Sequence, residues 1–173
     1  MTFFGIHGTC QSIAHRIQSS NFNISTGRGG SGVYFWRKGN FSSLLSFGWY
    51  QQSKYNGKFS GESDDSYAGI EVELTINKGE YLDLEDPDIK EELASLVVTK
   101  GIDSKADKRK IANLYDAFVK MVEKNAGVSM KLLILRVAPP QNCPEYPIAA
   151  LGAPISYIAR DSSIIKIINV ESK

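Results

Sequence analysis

The segment running from Phe3-Phe4-Gly5-Ile6-His7-Gly8-Thr9 to Gly27-Arg28-Gly29-Gly30-Ser31-Gly32-Val33-Tyr34-Phe35-Trp36 decides how this sequence is read. A short apolar run ends in His7-Gly8, a helix follows, and a glycine-rich stretch then leads into four strand-forming residues. Gly8, Gly29, Gly30 and Gly32 lack a Cβ, so backbone there is able to approach another molecule closely. His7 and Tyr34 fall at the ends of two expected strands, where their rings would project into a cleft. Two strands and two rings around glycine turns predict a flat ligand held in a slot.

Outward from this segment, Thr9 is the expected cap of a helix whose apolar positions Ile13, Ala14 and Ile17 recur at helical spacing. Asn21 to Thr26 is turn chemistry. Phe41 to Gln52 has a mostly helical pattern interrupted by Gly48, a residue that costs about 1 kcal/mol against alanine inside a helix. Ser53 to Ser66, polar and carrying Gly57 and Gly61, is expected to be a mobile surface loop. Tyr67 to Ile76 alternates, Ile70, Val72, Leu74 and Ile76 against Glu71, Glu73 and Thr75, which predicts a half-buried strand with a solvent-facing glutamate row. Tyr81-Leu82-Asp83-Leu84 is a short strand, and Asp86-Pro87 opens a helix, proline being suited to the first helical position. Helices are expected over 88–98 and 104–124, the second with the apolar stripe Ile111, Leu114, Tyr115, Phe118 and Val122 and a solvated cluster from Lys105 to Lys110. Asn125-Ala126-Gly127 predicts a left-handed cap. Lys131 to Val137 is a strand, the proline-rich 139–154 segment a surface loop without helix, and Ile155 to Ala159 and Ile164 to Val170 are the last strands. Six or seven strands and about four helices, not strictly alternating, predict an α+β fold with a mainly antiparallel sheet.

The whole chain limits the function classes. At 173 residues it suits one domain spanning 1–173. A formal net charge of +1 gives no field that would drive polyanion binding, so any nucleic-acid partner must meet a local patch. Cys10 and Cys143 have neither metal-ligand spacing nor the look of a disulfide framework, and a reducing cytoplasm is expected. The first residues read as the start of a strand, and neither a cleaved secretory leader nor a membrane span is expected. A metal site, a phosphate-binding P-loop and a Ser-His-Asp set are equally without support.

Three pieces in order resemble the ADP-ribosyltransferase superfamily, in the histidine-tyrosine-glutamate branch of diphtheria-toxin-like and poly-ADP-ribose-polymerase-like enzymes. They are Ile6-His7-Gly8-Thr9 before a helix, Gly30-Ser31-Gly32-Val33-Tyr34-Phe35-Trp36 about 25 residues later, and Ile155-Ser156-Tyr157-Ile158-Ala159-Arg160-Asp161 near the end. Ile70 to Leu74 and Tyr81 to Leu84 resemble a group of small toxin-like bacterial members. The resemblance implies a split, mainly antiparallel sheet with flanking helices, and NAD as co-substrate without metal. It would give His7 the adenine-side ribose, Gly8 the nicotinamide amide through its backbone, and Tyr34 a stack on the nicotinamide ring, with Thr9, Arg28 and Gly32 completing the cofactor set. Arg28 is either a pyrophosphate partner or an exposed loop arginine. Trp49-Tyr50 either packs the second helix or lines the nicotinamide end.

The departure lies at Ser156, where the branch's catalytic glutamate would fall and which is not anionic at neutral pH. In other branch members a different residue there accompanies single transfer or lost activity. The resemblance therefore implies mono-ADP-ribosyl transfer to a macromolecule, nucleic acid being favoured slightly over protein, by a cytoplasmic toxin of a toxin-antitoxin or antiphage module restrained by an antitoxin. Glu62, Glu71, Glu73 and Glu145 are the alternative sources of the carboxylate. Two other readings stand beside it: a catalytically silent module holding NAD, ADP-ribose or nucleic acid, and an RNA 2′-phosphotransferase, which asks for more basic residues than the sequence offers.

Overall fold

The computed structural model describes residues 1–102 and 108–172. Its elements in chain order are β1 (Thr2–Cys10), α1 (Gln11–Ser20), β2 (Ser25–Gly27), β3 (Gly30–Arg37), α2 (Ser42–Tyr55), β4 (Tyr67–Thr75), β5 (Tyr81–Asp83), α3 (Pro87–Thr99), α4 (Lys108–Ala126), β6 (Leu132–Arg136), α5 (Ile148–Leu151), β7 (Ile155–Ala159) and β8 (Ile165–Ser172). One eight-stranded sheet runs β5-β6-β7-β3-β1-β4-β8, with β2 added to β3. Every neighbouring pair is antiparallel except β5 and β6. The α+β architecture with a mainly antiparallel sheet and flanking helices is as expected.

Strand alternation divides the side chains between two faces. Pairing of Ile6 with Trp36, and of Trp36 with Ser156, puts these three on one face with Tyr34 and Ile158. His7, Phe35 and Tyr157 take the other. That second face is concave: the Phe3 ring of β1 lies 6.0 Å from the Tyr81 ring of β5, where a flat sheet would hold strands four places apart about 19 Å from each other. Ala14 and Phe22 from α1 and the segment after it fill the concavity against Phe35, Ile70 and Val72. On the convex face α2 covers Ile6 and Trp36 with Leu45. Phe118 and Val119 of α4, with Ile89, Leu93 and Leu96 of α3, cover Leu133, Leu135 and Ile158.

Local chemistry accounts for most boundaries. The Asp86 carboxylate accepts from the N–H groups of Asp88 and Ile89, with Pro87 in the first turn of α3. Gly127 takes the left-handed conformation (φ 68°) just after α4. The α4 stripe buries Leu114 and Phe118, with Tyr115 and Val122 packed alongside. Lys105 and Asp107 of the basic cluster fall outside the described residues.

Four expectations are corrected. β1 does not end at His7-Gly8 but pairs with β4 as far as Cys10↔Tyr67, because Gly69 and Ala68 opposite let the ladder continue. Thr9 is consequently a buried strand residue, and Cys10 holds the cap position of α1 without a side-chain bond. Within the 21–32 stretch, Ser25–Gly27 and Gly30–Gly32 pair as a hairpin rather than forming turn alone. The 53–66 segment begins as the last turn of α2. The 139–154 segment holds the four-residue α5, and it seats Cys143 and Tyr146 in the convex core instead of lying over the surface.

Gly48 gains its reason from that last contact. A methyl group at this position of α2 would fall on Cys143 Sγ and lie 3.1 Å from the Asn142 carbonyl oxygen. The thiol itself bonds the Leu44 carbonyl at 3.2 Å. Gly48→Ala should therefore destabilise the protein by about 1–3 kcal/mol through overpacking, despite the roughly 1 kcal/mol that alanine gains in helix propensity. Urea denaturation should show the lower midpoint. Gly39→Ala, where a Cβ meets nothing within 4 Å, should leave the midpoint within error.

Candidate functional site

β1 and β3 pair at only two positions, Gly5↔Arg37 and Ile6↔Trp36. Past Ile6, β1 stays with β4 alone, while the first half of β3 goes to β7 and β2. The sheet parts between them. The direction of the free backbone follows from alternation. Lys38 N–H donates to the Phe4 carbonyl at 2.9 Å, and Gln11 N–H donates to Ser66 beside β4 at 2.9 Å. Even-numbered residues of β1 thus aim their amide groups toward β3 and odd-numbered ones toward β4. Gly8 points its N–H and C=O into the parting, beyond the last rung.

His7 stands at the apex. Its Nδ1 lies 2.9 Å from the Tyr34 carbonyl oxygen. A carbonyl only accepts, so Nδ1 carries the proton and Nε2 is left with a lone pair. The ring meets the edges of Phe22 (5.4 Å) and Phe35 (6.0 Å). Desolvation among these rings lowers its pKa to about 4, outweighing the Tyr34 bond that favours the protonated form, with Lys58 adding to the fall. At neutral pH the ring is an uncharged hydrogen-bond acceptor.

Tyr34 leaves the opposite face of the sheet, so the two rings do not share one slot; they meet through the Tyr34 carbonyl. Its hydroxyl donates to the Gly30 carbonyl at 2.7 Å and accepts from Gly29 N–H at 2.9 Å. Burial pushes this phenol well above its usual value. Tyr34 is the pin of the β2–β3 hairpin, and a Cβ at Gly27 would run into its ring.

The other glycines also face protein. At Gly8 a Cβ would strike the Ser46 backbone of α2, and at Gly32 it would strike Ile158 of β7. Thr9 is buried opposite Ala68, and Arg28 is exposed at the tip of the hairpin. Ser156 is 2% exposed and donates to the Phe35 carbonyl at 3.0 Å. Of the four candidate carboxylates, three already have cationic partners. Glu62 accepts from Nη1 and Nη2 of Arg16 (2.8 and 2.6 Å), Glu71 is paired with Lys38, Glu73 faces Lys166 and Glu145 is exposed. The glutamate row on β4 is thus ion-paired rather than simply solvated.

A polar cluster that sequence reasoning missed holds the hairpin from below. Asp116 of α4 accepts from Ser31 N–H (2.9 Å), Ser31 Oγ (2.8 Å) and Arg160 Nη1 (2.8 Å). Partial burial would raise its pKa, but the Ser31 bonds and the Arg160 guanidinium hold the carboxyl below the usual range. Arg160 therefore belongs to this cluster, whereas Asp161 does the turn chemistry by accepting from Ser163 N–H at 2.9 Å. The one local hint was an aspartate beside the apolar stripe of α4; its partners lie 85 and 44 residues away.

No protein-family profile matches the chain, and no curated protein matches it in sequence. Its geometry is the ground for a functional reading.

The depressed His7 pKa has a consequence for stability. The unfolded histidine, with its ordinary pKa near 6.5, takes up a proton before the folded one does. His7 thus favours the folded state above pH 6.5, and that contribution is lost as pH falls toward 4. The loss should approach about 3 kcal/mol in urea titrations across this window. His7→Gln, which keeps an amide donor for the Tyr34 carbonyl without a titrating ring, should flatten that slope.

Proposed function

We propose that this chain is a mono-ADP-ribosyltransferase that consumes NAD and modifies a macromolecule, using the parting between β1 and β3 as its dinucleotide site. The observation that supports the reading is the pairing of Gly8 amide groups, aimed into the parting, with a neutral His7 that retains an acceptor at Nε2. A backbone N–H and C=O side by side match the carboxamide of nicotinamide, which accepts with its oxygen and donates with its nitrogen. A bare imidazole nitrogen matches a ribose hydroxyl donor. In the reaction the bond between nicotinamide and ribose C1′ breaks, its electron pair leaves with nicotinamide, and the oxocarbenium-like ribose is captured by an oxygen or nitrogen of the target, which loses a proton. Ser156 is neutral, so the reading takes single transfer rather than chain growth, with the barrier lowered by orientation and by fixed dipoles. Toxin activity in the cytoplasm, an antitoxin partner and nucleic acid as the favoured target are supported by the resemblance alone. No described helix is long and apolar enough to cross a membrane.

The Ser156 contact favours a second reading. A hydroxyl that is buried and already bonded to the Phe35 carbonyl suits a module that holds NAD or ADP-ribose without cleaving it.

Incubation with NAD labelled in its adenylate part and a cell lysate separates the two. The transferase should release nicotinamide and leave label that resists protease and is removed by nuclease; the reverse digestion pattern would transfer the target to protein. His7→Gln should slow nicotinamide release at least tenfold with the fold intact. Saturable NAD binding without nicotinamide release in any lysate would establish the silent module, and absence of both would remove the dinucleotide site altogether.

A further inference from the structure

At the far end of β1 and β3 from His7, the concave face of the sheet opens into a groove of about 510 Å³. Phe3 to His7 is four residues of strand, about 14 Å, so the groove is separate from the parting. Its floor is Phe3, Ile134, Ile155 and Tyr157, and its rim carries Arg37 on β3 and Asp83 on β5. The Phe3 and Tyr157 rings are 5.3 Å apart.

Three polar groups converge here without partners for all their bonds. Among the described residues the Arg37 side chain has no hydrogen bond or ion pair, and neither does the Tyr157 hydroxyl. Asp83 accepts from Glu85 N–H through Oδ1 at 2.9 Å, which leaves Oδ2 unengaged. Burial raises the pKa of the Tyr157 hydroxyl, the Arg37 charge lowers it and the Asp83 charge raises it. No buried side-chain nitrogen or oxygen among the described residues lacks a partner. The Tyr157 hydroxyl therefore opens to the groove. An apolar floor with a few converging polar groups is the usual make-up of a small-molecule site.

The combination selects among ligands. An aliphatic chain would cover the floor and leave a guanidinium and a carboxylate desolvated. A peptide adding as a strand needs a free sheet edge, and of the strands that line the groove only β5 has one, over the three residues Tyr81–Asp83. A flat ring on Phe3, a hydrogen-bond donor for Asp83 and an anion for Arg37 match the apolar floor and both charges on the rim; Lys38, which also lines the groove, is already paired with Glu71.

We propose that this groove binds a nucleotide whose base carries an exocyclic amine, such as cytidine 5′-phosphate, with the base on Phe3, its amine on Asp83 and its phosphate on Arg37. As part of a strand, such a nucleotide would be the grip on the acceptor of the transferase proposed above; in that role alone does the inference rest on the transferase reading.

The test is fluorescence anisotropy without NAD, using labelled hexamers of cytidylate and uridylate RNA, with unlabelled CMP and UMP as competitors. Cytosine offers an amine where uracil offers a carbonyl, and carboxylates accept from that amine. The cytidylate hexamer should bind at least tenfold more tightly than the uridylate hexamer. Arg37→Glu should abolish binding of both, and Asp83→Asn, which still accepts from Glu85 N–H, should reduce the base preference to twofold or less. A hexamer much tighter than CMP identifies a strand as the ligand; equal affinities identify a free nucleotide. Equal binding of the two hexamers, binding indifferent to Arg37→Glu, or no binding at all overturns the assignment. Because NAD is absent, cytidylate binding that survives a negative transfer assay would remove the transferase reading and leave the groove.

Discussion

The hydrogen bond between the His7 ring and the Tyr34 carbonyl sits where the sheet divides. A strand that parts from its neighbour leaves peptide groups without partners, at about 1–3 kcal/mol for each one buried. At the apex an imidazole supplies the missing donor to β3. It does so while packed edge-on to Phe22 and Phe35, and that dry setting keeps it neutral. A lysine here would bring a charge into the same setting, and an aliphatic residue would leave the carbonyl bare. One side chain thus allows β1 to follow β4 and β3 to follow β7, with Gly8 left facing the gap.

The convex side depends on the opposite device, the removal of side chains. Gly8 lets the Ser46 backbone settle on β1, Gly48 lets Cys143 settle on α2, and Gly32 lets Ile158 settle on β3. The glycines that suggest a ligand slot in the sequence serve as contact points between layers. Open backbone at the parting arises from strand pairing instead. Absence of a Cβ and absence of a neighbouring strand are distinct conditions, and Gly8 is the position where both hold.

This distinction also explains what was legible. Features set within a few residues could be read: the alternation of β4, the stripe of α4, the Asp86-Pro87 start of α3 and the Gly127 cap. Features set by register could not. Whether His7 and Tyr34 share a face depends on Ile6 pairing with Trp36, an offset that no local pattern encodes. Thr9 looked like a cap because a strand continuing through His7-Gly8 needs Ala68 and Gly69 opposite, 59 and 61 residues from Thr9 and Gly8 respectively by their numbering. The Asp116, Ser31 and Arg160 cluster joins three distant segments, and each member alone reads as an ordinary polar residue. The short α5 escaped because prolines flank Ile148–Leu151 without entering it.

Ser156 brings the packing and the chemistry together. Its hydroxyl lies between Trp36 and Leu135 of the adjoining strands and gives its proton to the Phe35 carbonyl. A carboxylate in its place would set an acceptor against an acceptor and bury a charge with no cation to pair it, a cost of several kcal/mol or a carboxyl forced to stay protonated. Serine meets both demands of the position: it is small enough to be covered and it donates. The packing around residue 156 is therefore matched to a neutral donor. In the transferase reading proposed above, selectivity at the parting then comes from the Gly8 amide groups and His7 rather than from a negative charge beneath the ribose.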